Sequence, residues 1–104
     1  MNDPPDDSSP FPETIEIPIE ESIDLHWFLP KEIRDVVEGY LEAAIEKGFR
    51  EVRLIHGRGK GVQRNRVQQI LAKHPGVERF ADAPAHQGGW GATIAWLNLP
   101  DDAD

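Results

Sequence analysis

EVRLIHGRGKG, residues 51–61, is the stretch on which the reading of the fold turns. Glu51 to Ile55 alternate polar and apolar side chains, the period of a half-buried strand. His56 to Gly61 follow with three glycines and two bases, too short for a strand and too glycine-rich for a helix interior. On the upstream side Ile33, Val36, Val37, Tyr40, Leu41, Ala44 and Ile45 recur at helical spacing and form one apolar stripe. Pro30 suits the first turn of that helix, Lys47 its last turn and Gly48 its C-terminal stop. Ahead of it, Ile23-Asp24-Leu25-His26 alternates as a strand does. Strand, helix and strand in that order make a βαβ unit, so the strands over 23–26 and 51–55 are expected to run parallel.

Downstream, a second helix is expected over about 62–73. Val67, Ile70 and Leu71 face inward, and Pro75-Gly76 ends it. Val77 to Phe80 is a short strand. Ala83 to Gly91 is a turn region, and Ala92 to Leu97 is a last strand, expected to be antiparallel to its neighbour. The expected fold class is α/β: a two-layer βαβαββ sandwich with a mixed four-stranded sheet and two helices. Its globular part is placed at 15–99. Ile15 to Ile19 alternates, with Pro18 confining it to an edge. Residues 1–14 hold four of the nine prolines and read as an acidic, disordered arm; residues 100–104 read as an acidic tail.

The net charge of −8 conceals an uneven distribution. Residues 1–22 carry seven acids and no base, and residues 101–104 three more acids. The middle, 23–100, has eleven bases against nine acids, and from Val52 to Val77 there are six bases and no acid. A nucleic-acid partner is compatible with that middle. The chain has no cysteine, so neither a disulfide nor a cysteine zinc site is available. The start has neither signal-peptide nor transit-peptide character, and no apolar run approaches the ~20 residues of a membrane span. A cytoplasmic protein without membrane contact is expected, and a monomer.

Ligands in parallel α/β sheets sit beyond the carboxyl ends of the strands. His26 ends one such strand, and His56-Gly57-Arg58-Gly59 ends the next. Gly88-Gly89-Trp90-Gly91 begins an antiparallel one, so the three stretches are expected on one rim. A strand period of two puts Asp24 and His26 on one side, where a carboxylate fixes an imidazole's tautomer. Histidine, with an ordinary pKa of ~6.5, carries protons at neutral pH. The plain alternative is a strand-end histidine with an aspartate that bonds loop amides.

Glycines 57, 59 and 61 let a backbone approach a phosphate, and the helix start behind them favours an anion. Arg58, Lys60, Arg64 and Arg66 add positive charge. The spacing is neither a Walker A loop nor a dinucleotide fingerprint, so no nucleotide cofactor is expected. Asp24, His26 and His56 offer too few carboxylates to support a two-metal site, and no metal ligand is assigned. Trp27 and Trp90 fall near the rim, one expected to pack and the other to stack a base. His74 reads as a helix C-terminal histidine, and Trp96 as sheet packing.

These stretches, with His74-Pro75-Gly76-Val77 and Gly88 to Thr93, resemble the Smr (small MutS-related) domain family over roughly residues 20–99. The resemblance is to the stand-alone bacterial type. It implies a sandwich similar to the C-terminal domain of translation initiation factor 3, nucleic-acid binding, and in several members nicking or RNA-cleaving endonuclease activity. The family's Asp-Leu-His motif falls on Asp24, Leu25 and His26, and its His-Gly-x-Gly motif on His56, Gly57 and Gly59. Many members have glycine after the motif histidine, where this chain has Trp27.

The expected function is a nucleic-acid-binding domain that cleaves phosphodiester bonds. Asp24, His26 and His56 would carry catalysis. Gly57, Arg58, Gly59, Lys60, Gly61, Arg64, Arg66, Gly89, Trp90 and Gly91 would hold the DNA or RNA. The rival expectation is a module that docks on nucleic acid or a ribosome without catalysis.

Overall fold

The computed structural model describes residues 19–100. The expected arm, the alternating residues 15–18 and the tail from 101 lie outside the described residues. The elements run β1 (Ser22–Asp24), α1 (Ile33–Lys47), β2 (Glu51–Ile55), α2 (Val62–Lys73), β3 (Val77–Asp82) and β4 (Ala92–Leu97). The sheet order is β1-β2-β4-β3, with β1 and β2 parallel and β4 antiparallel to both its neighbours. This is the expected mixed four-stranded α/β fold.

Helix α1 forms for the reasons its sequence offers. A 3-10 turn over Pro30–Glu32 leads into it, and the Glu32 carboxylate accepts the Leu29 amide at 2.9 Å. Ile33, Val37, Tyr40, Leu41 and Ala44 are buried on one face. Gly48 ends it at φ +85°, a conformation glycine adopts without steric cost. Tyr40 reaches from this helix to donate its hydroxyl to the Glu20 carbonyl. Burial and the neighbouring Glu21 and Glu20 push that phenol's pKa up.

Both helices cover one face of the sheet. Val52 and Leu54 of β2 and Ala95 and Leu97 of β4 pack there with Val67, Ile70 and Leu71 of α2. A smaller cluster of Ala83, Ala92 and Ile94, with Ile55 and Trp96, lies on the other face. The Arg79 guanidinium stacks 3.9 Å over the Trp96 ring there. Among the described residues no helix is long and apolar enough to cross a membrane.

Two boundaries differ from the sequence reading. Strand β1 stops at Asp24, and Leu25–Trp27 form a 3-10 turn. The Asp24 carboxylate accepts the His26 amide at 2.9 Å, and this local bond ends the strand. Strand β3 runs two residues beyond Phe80, because Ala81 and Asp82 pair with Ile94 and Thr93 of β4. At its other end Val77 opposes Leu97 and Arg79 opposes Trp96, a register shift that leaves Glu78 as the extra residue.

Leu54 is fully buried, whereas Trp27 is 83% exposed. Leu54→Ala is expected to cost about 2–5 kcal/mol of stability, and Trp27→Ala no more than about 0.5 kcal/mol. Urea unfolding of the two variants checks this difference.

Candidate active site

The carboxyl ends of β1, β2 and β3 and the amino end of β4 share one rim, as the pairing directions require. Asp24 leaves β1 there. Its Oδ1 accepts both the His26 amide, at 2.9 Å, and His26 Nδ1–H, at 2.7 Å. The pair expected from a strand's alternation is therefore made by a capped turn. The bonds from the His26 amide and ring hold the Asp24 carboxyl below the usual carboxylate range. With Nδ1–H engaged, His26 presents Nε2. Its side chain is 58% exposed.

Nε2 faces Gly57. A methyl group at Gly57 would lie 2.6 Å from it, closer than a side chain tolerates, and Gly57 has φ +85°. Glycine is thus required at 57 on two counts, conformation and space. Both the His56 and Gly57 amides donate to the Gly91 carbonyl, at 3.1 and 2.8 Å. Arg58 then lies along the 88–91 loop. Its Nη2 is 3.4 Å from the Gly88 carbonyl, and a methyl group on Gly91 would come within 3.0 Å of its Cγ. The three stretches expected on one rim do meet there.

The loop glycines divide by role. The Gly57 amide is taken by Gly91 and the Gly61 amide by the Arg58 carbonyl, at 3.0 Å, so these two shape the loop. The Gly59 amide makes no backbone bond among the described residues. Arg58 and Lys60 are exposed beside it. Trp90, 44% exposed, lies against Gly61, and the Arg64 guanidinium sits 5.8 Å from its ring centroid. Gly89 leaves room for the Arg58 guanidinium. Neither tryptophan joins the core: Trp90 is partly exposed at the rim and Trp27 projects into solvent.

His56 is the principal surprise. It is only 5% exposed, and both ring nitrogens are occupied. Nε2 is 2.8 Å from Thr93 Oγ1, and Nδ1 is 3.0 Å from the Gly57 carbonyl. Gln68 Nε2 donates to Thr93 Oγ1 at 3.1 Å and to Asp82 Oδ1 at 3.2 Å. Only one donor assignment satisfies every member of this chain. Asp82, a carboxylate, can only accept. Gln68 donates, the Thr93 hydroxyl donates to His56 Nε2, and His56 Nδ1–H donates to Gly57. Burial, with the nearby Arg64 charge, pushes the His56 pKa down, against the opposing pull of the Gly57 carbonyl. His56 is thereby a neutral strut beneath the loop.

The charged residues also divide. Arg64 makes two bonds to Asp82, at 2.8 and 2.9 Å. The pairing raises the guanidinium's pKa and holds the Asp82 carboxyl low. Arg66 bonds Gln63 and lines the groove between α1 and α2. His74 Nδ1 accepts the Gly76 amide at 2.9 Å, which fixes the turn after α2. Among the described residues no three His, Asp or Glu side chains gather as metal ligands would.

The profile of the Smr domain family matches residues 23–98. The chain belongs to the Smr domain family. The endonuclease MutS2 of Helicobacter pylori strain 26695 is 38% identical to it over 86 residues, 81% of this chain and 11% of that protein. The chain spans about a tenth of the length of the MutS2 relatives it matches. Among solved structures, the Smr domain of Thermus thermophilus MutS2 superposes with a TM-score of 0.72 at 35% identity, covering 76% of this chain and 99% of that one. YdaL, a stand-alone small MutS-related protein from Escherichia coli, gives a TM-score of 0.65 at 29% identity, covering 77% of this chain and 66% of that one.

Thr93, Gln68 and Asp82 of this Smr domain were not legible as site residues. A signal for His56 existed: Val52 and Leu54 of β2 face the core, and His56, just past the strand's end, continues their period of two.

The burial of His56 has a consequence for stability. The unfolded chain binds a proton at His56 more tightly than the folded one. Stability is therefore complete above the ordinary value of 6.5, falls as the pH drops below it, and levels off under the folded value. His56→Gln is expected to remove this part of the pH dependence, read by urea unfolding at pH 7.5 and 5.5. An equal acid loss in both proteins would assign it to other groups. Gly57→Ala is expected to displace the His26 ring and abolish the hydrogen-bonded Nδ1 proton in NMR spectra. Gly59→Ala, with nothing within 4 Å, should retain it.

Proposed function

We propose that this Smr domain binds nucleic acid along the rim and cleaves its phosphodiester backbone, with His26 as the proton carrier. The observation that carries this reading is the Asp24–His26 pair held against Gly57. Asp24 holds Nδ1–H, so the lone pair of Nε2 is the accessible base. On RNA, Nε2 takes the proton of a 2′-hydroxyl as that oxygen attacks phosphorus. The bond from phosphorus to the 5′-oxygen breaks, and the leaving oxygen takes a proton from the imidazolium or from water. In this reading Arg58, Lys60 and the Gly59 amide stabilise the charge that builds on the phosphate oxygens, supported by their exposure and by the amide's lack of a backbone partner among the described residues. His56 acts by position, through the Gly57 carbonyl. That the MutS2 relatives are endonucleases by name agrees with this reading.

A second reading is a module that docks on nucleic acid or a ribosome without cleaving it. One observation favours it: burial of His56 takes one of the two expected proton carriers out of solvent, while His26 stays exposed.

Purified protein and His26→Ala are to be incubated with labelled single-stranded RNA, duplex DNA and branched DNA, with EDTA or with added Mg²⁺ or Mn²⁺. The expected result is cleavage slowed at least ~100-fold by His26→Ala. Equal cleavage by both proteins would remove the role of His26. Binding without cleavage by the wild type would establish the second reading.

A further inference from the structure

Four of the bases that the rim leaves unused gather in one place. Lys31 and Arg34 of the first turns before and within α1, and Arg66 and Lys73 of α2, line a groove of about 620 Å³ between the helices. Glu38 is the one acid among its lining residues, and the apolar Ile70 also borders it. Among the described residues Lys31, Arg34 and Lys73 enter no ion pair, and Arg66 bonds only the neutral Gln63. Four cations lining one concavity focus positive potential there and favour a polyanion.

Pro30 lines the same groove. It lies three residues after Trp27, so at most ~11 Å separates their Cα atoms. Trp27 is 83% exposed and Leu29 56% exposed, while Phe28 between them packs on the core. The turn thus anchors through Phe28 and holds an indole ring in water, one residue after His26 and three before the groove-lining Pro30. A ring so placed offers a face on which an unpaired base can stack, whereas a duplex keeps its bases stacked on each other.

We propose that a single strand of nucleic acid leaves the His26 rim, stacks a base on Trp27 and lays its phosphates along the α1–α2 groove. This rests on the rim's being a nucleic-acid site and names the substrate class: single-stranded, reaching beyond the rim by several nucleotides. Phosphate contacts there supply affinity without sequence preference, and the tryptophan sets the choice of single strand over duplex.

The test is fluorescence anisotropy with a labelled 12-nucleotide oligouridylate and a duplex of equal length, from 50 to 200 mM salt. The proteins are wild type, the triple variant Lys31→Gln/Arg34→Gln/Lys73→Gln, Trp27→Ala and Trp27→Phe, each checked for folding by circular dichroism. For the single strand, the triple variant is expected to reduce the slope of log affinity against log salt by about 2, at about 0.7 for each phosphate that is no longer neutralised. Trp27→Ala should weaken single-strand binding about ten-fold, Trp27→Phe should restore most of it, and duplex binding should be indifferent to both. An unchanged slope in the triple variant overturns the groove as the strand's path. So does equal weakening of duplex and single strand by Trp27→Ala. Displacement of the oligouridylate by polyglutamate as readily as by unlabelled oligouridylate would reassign the groove to an acidic peptide. Failure of the wild type to bind any nucleic acid at 50 mM salt would refute the rim reading itself, an outcome separable from the others because it needs no variant.

Discussion

The carbonyl of Gly91 accepts two amide protons, those of His56 and Gly57, at 3.1 and 2.8 Å. This shared acceptor ties the end of β2 to the start of β4 at the point where the sheet would otherwise fray. It also sets the separation between the 56–61 loop and the 88–91 loop. That separation is small enough that side chains are missing where the two meet. Gly91 admits the Arg58 stem, Gly89 its guanidinium, and Gly57 the His26 ring. The rim is built by leaving atoms out, and each omission admits one neighbouring side chain.

Beside that layer runs a chain of hydrogen bonds in which Arg64 and Gln68 both donate to Asp82, Gln68 also donates to Thr93, and Thr93 donates to His56. Its buried members, Thr93 and His56, both have partners, and an unpaired polar group there would cost more than a paired one contributes. The chain ends on the Gly57 carbonyl, the backbone against which His26 rests. Two histidines of one motif set thus divide the labour. His26 is exposed and tethered by a carboxylate, while His56 is buried and neutral.

Charge follows the same division. Arg64 is committed to Asp82, whereas Arg58 and Lys60 stand open at the rim and a further set of bases lines the helix groove. A net charge of −8 describes none of this, since the acids of residues 1–22 and 101–104 outnumber the surplus bases of the middle. The quantity that matters to a ligand is the local potential, which decays within about 8–10 Å at ordinary salt.

Sequence alone determined the helices, the central strands and their pairing sense. Period-3.6 and period-2 apolar patterns, Gly48 and Pro75-Gly76 are local signals that burial reinforces, and α1, β2, α2 and β4 end where those signals end. It also determined that 26, 56–61 and 88–91 share a rim, because strand direction follows from connection length. Tertiary structure decided the rest. The end of β1 depended on the Asp24 carboxylate capturing an amide, and the length of β3 on pairing with β4. The burial of His56 depended on Thr93, thirty-seven residues away, meeting its Nε2. The exposure of Trp27 depended on Phe28 taking the place in the core. None of these has a periodic signature, since each is a contact between particular atoms that exists only once the chain has folded.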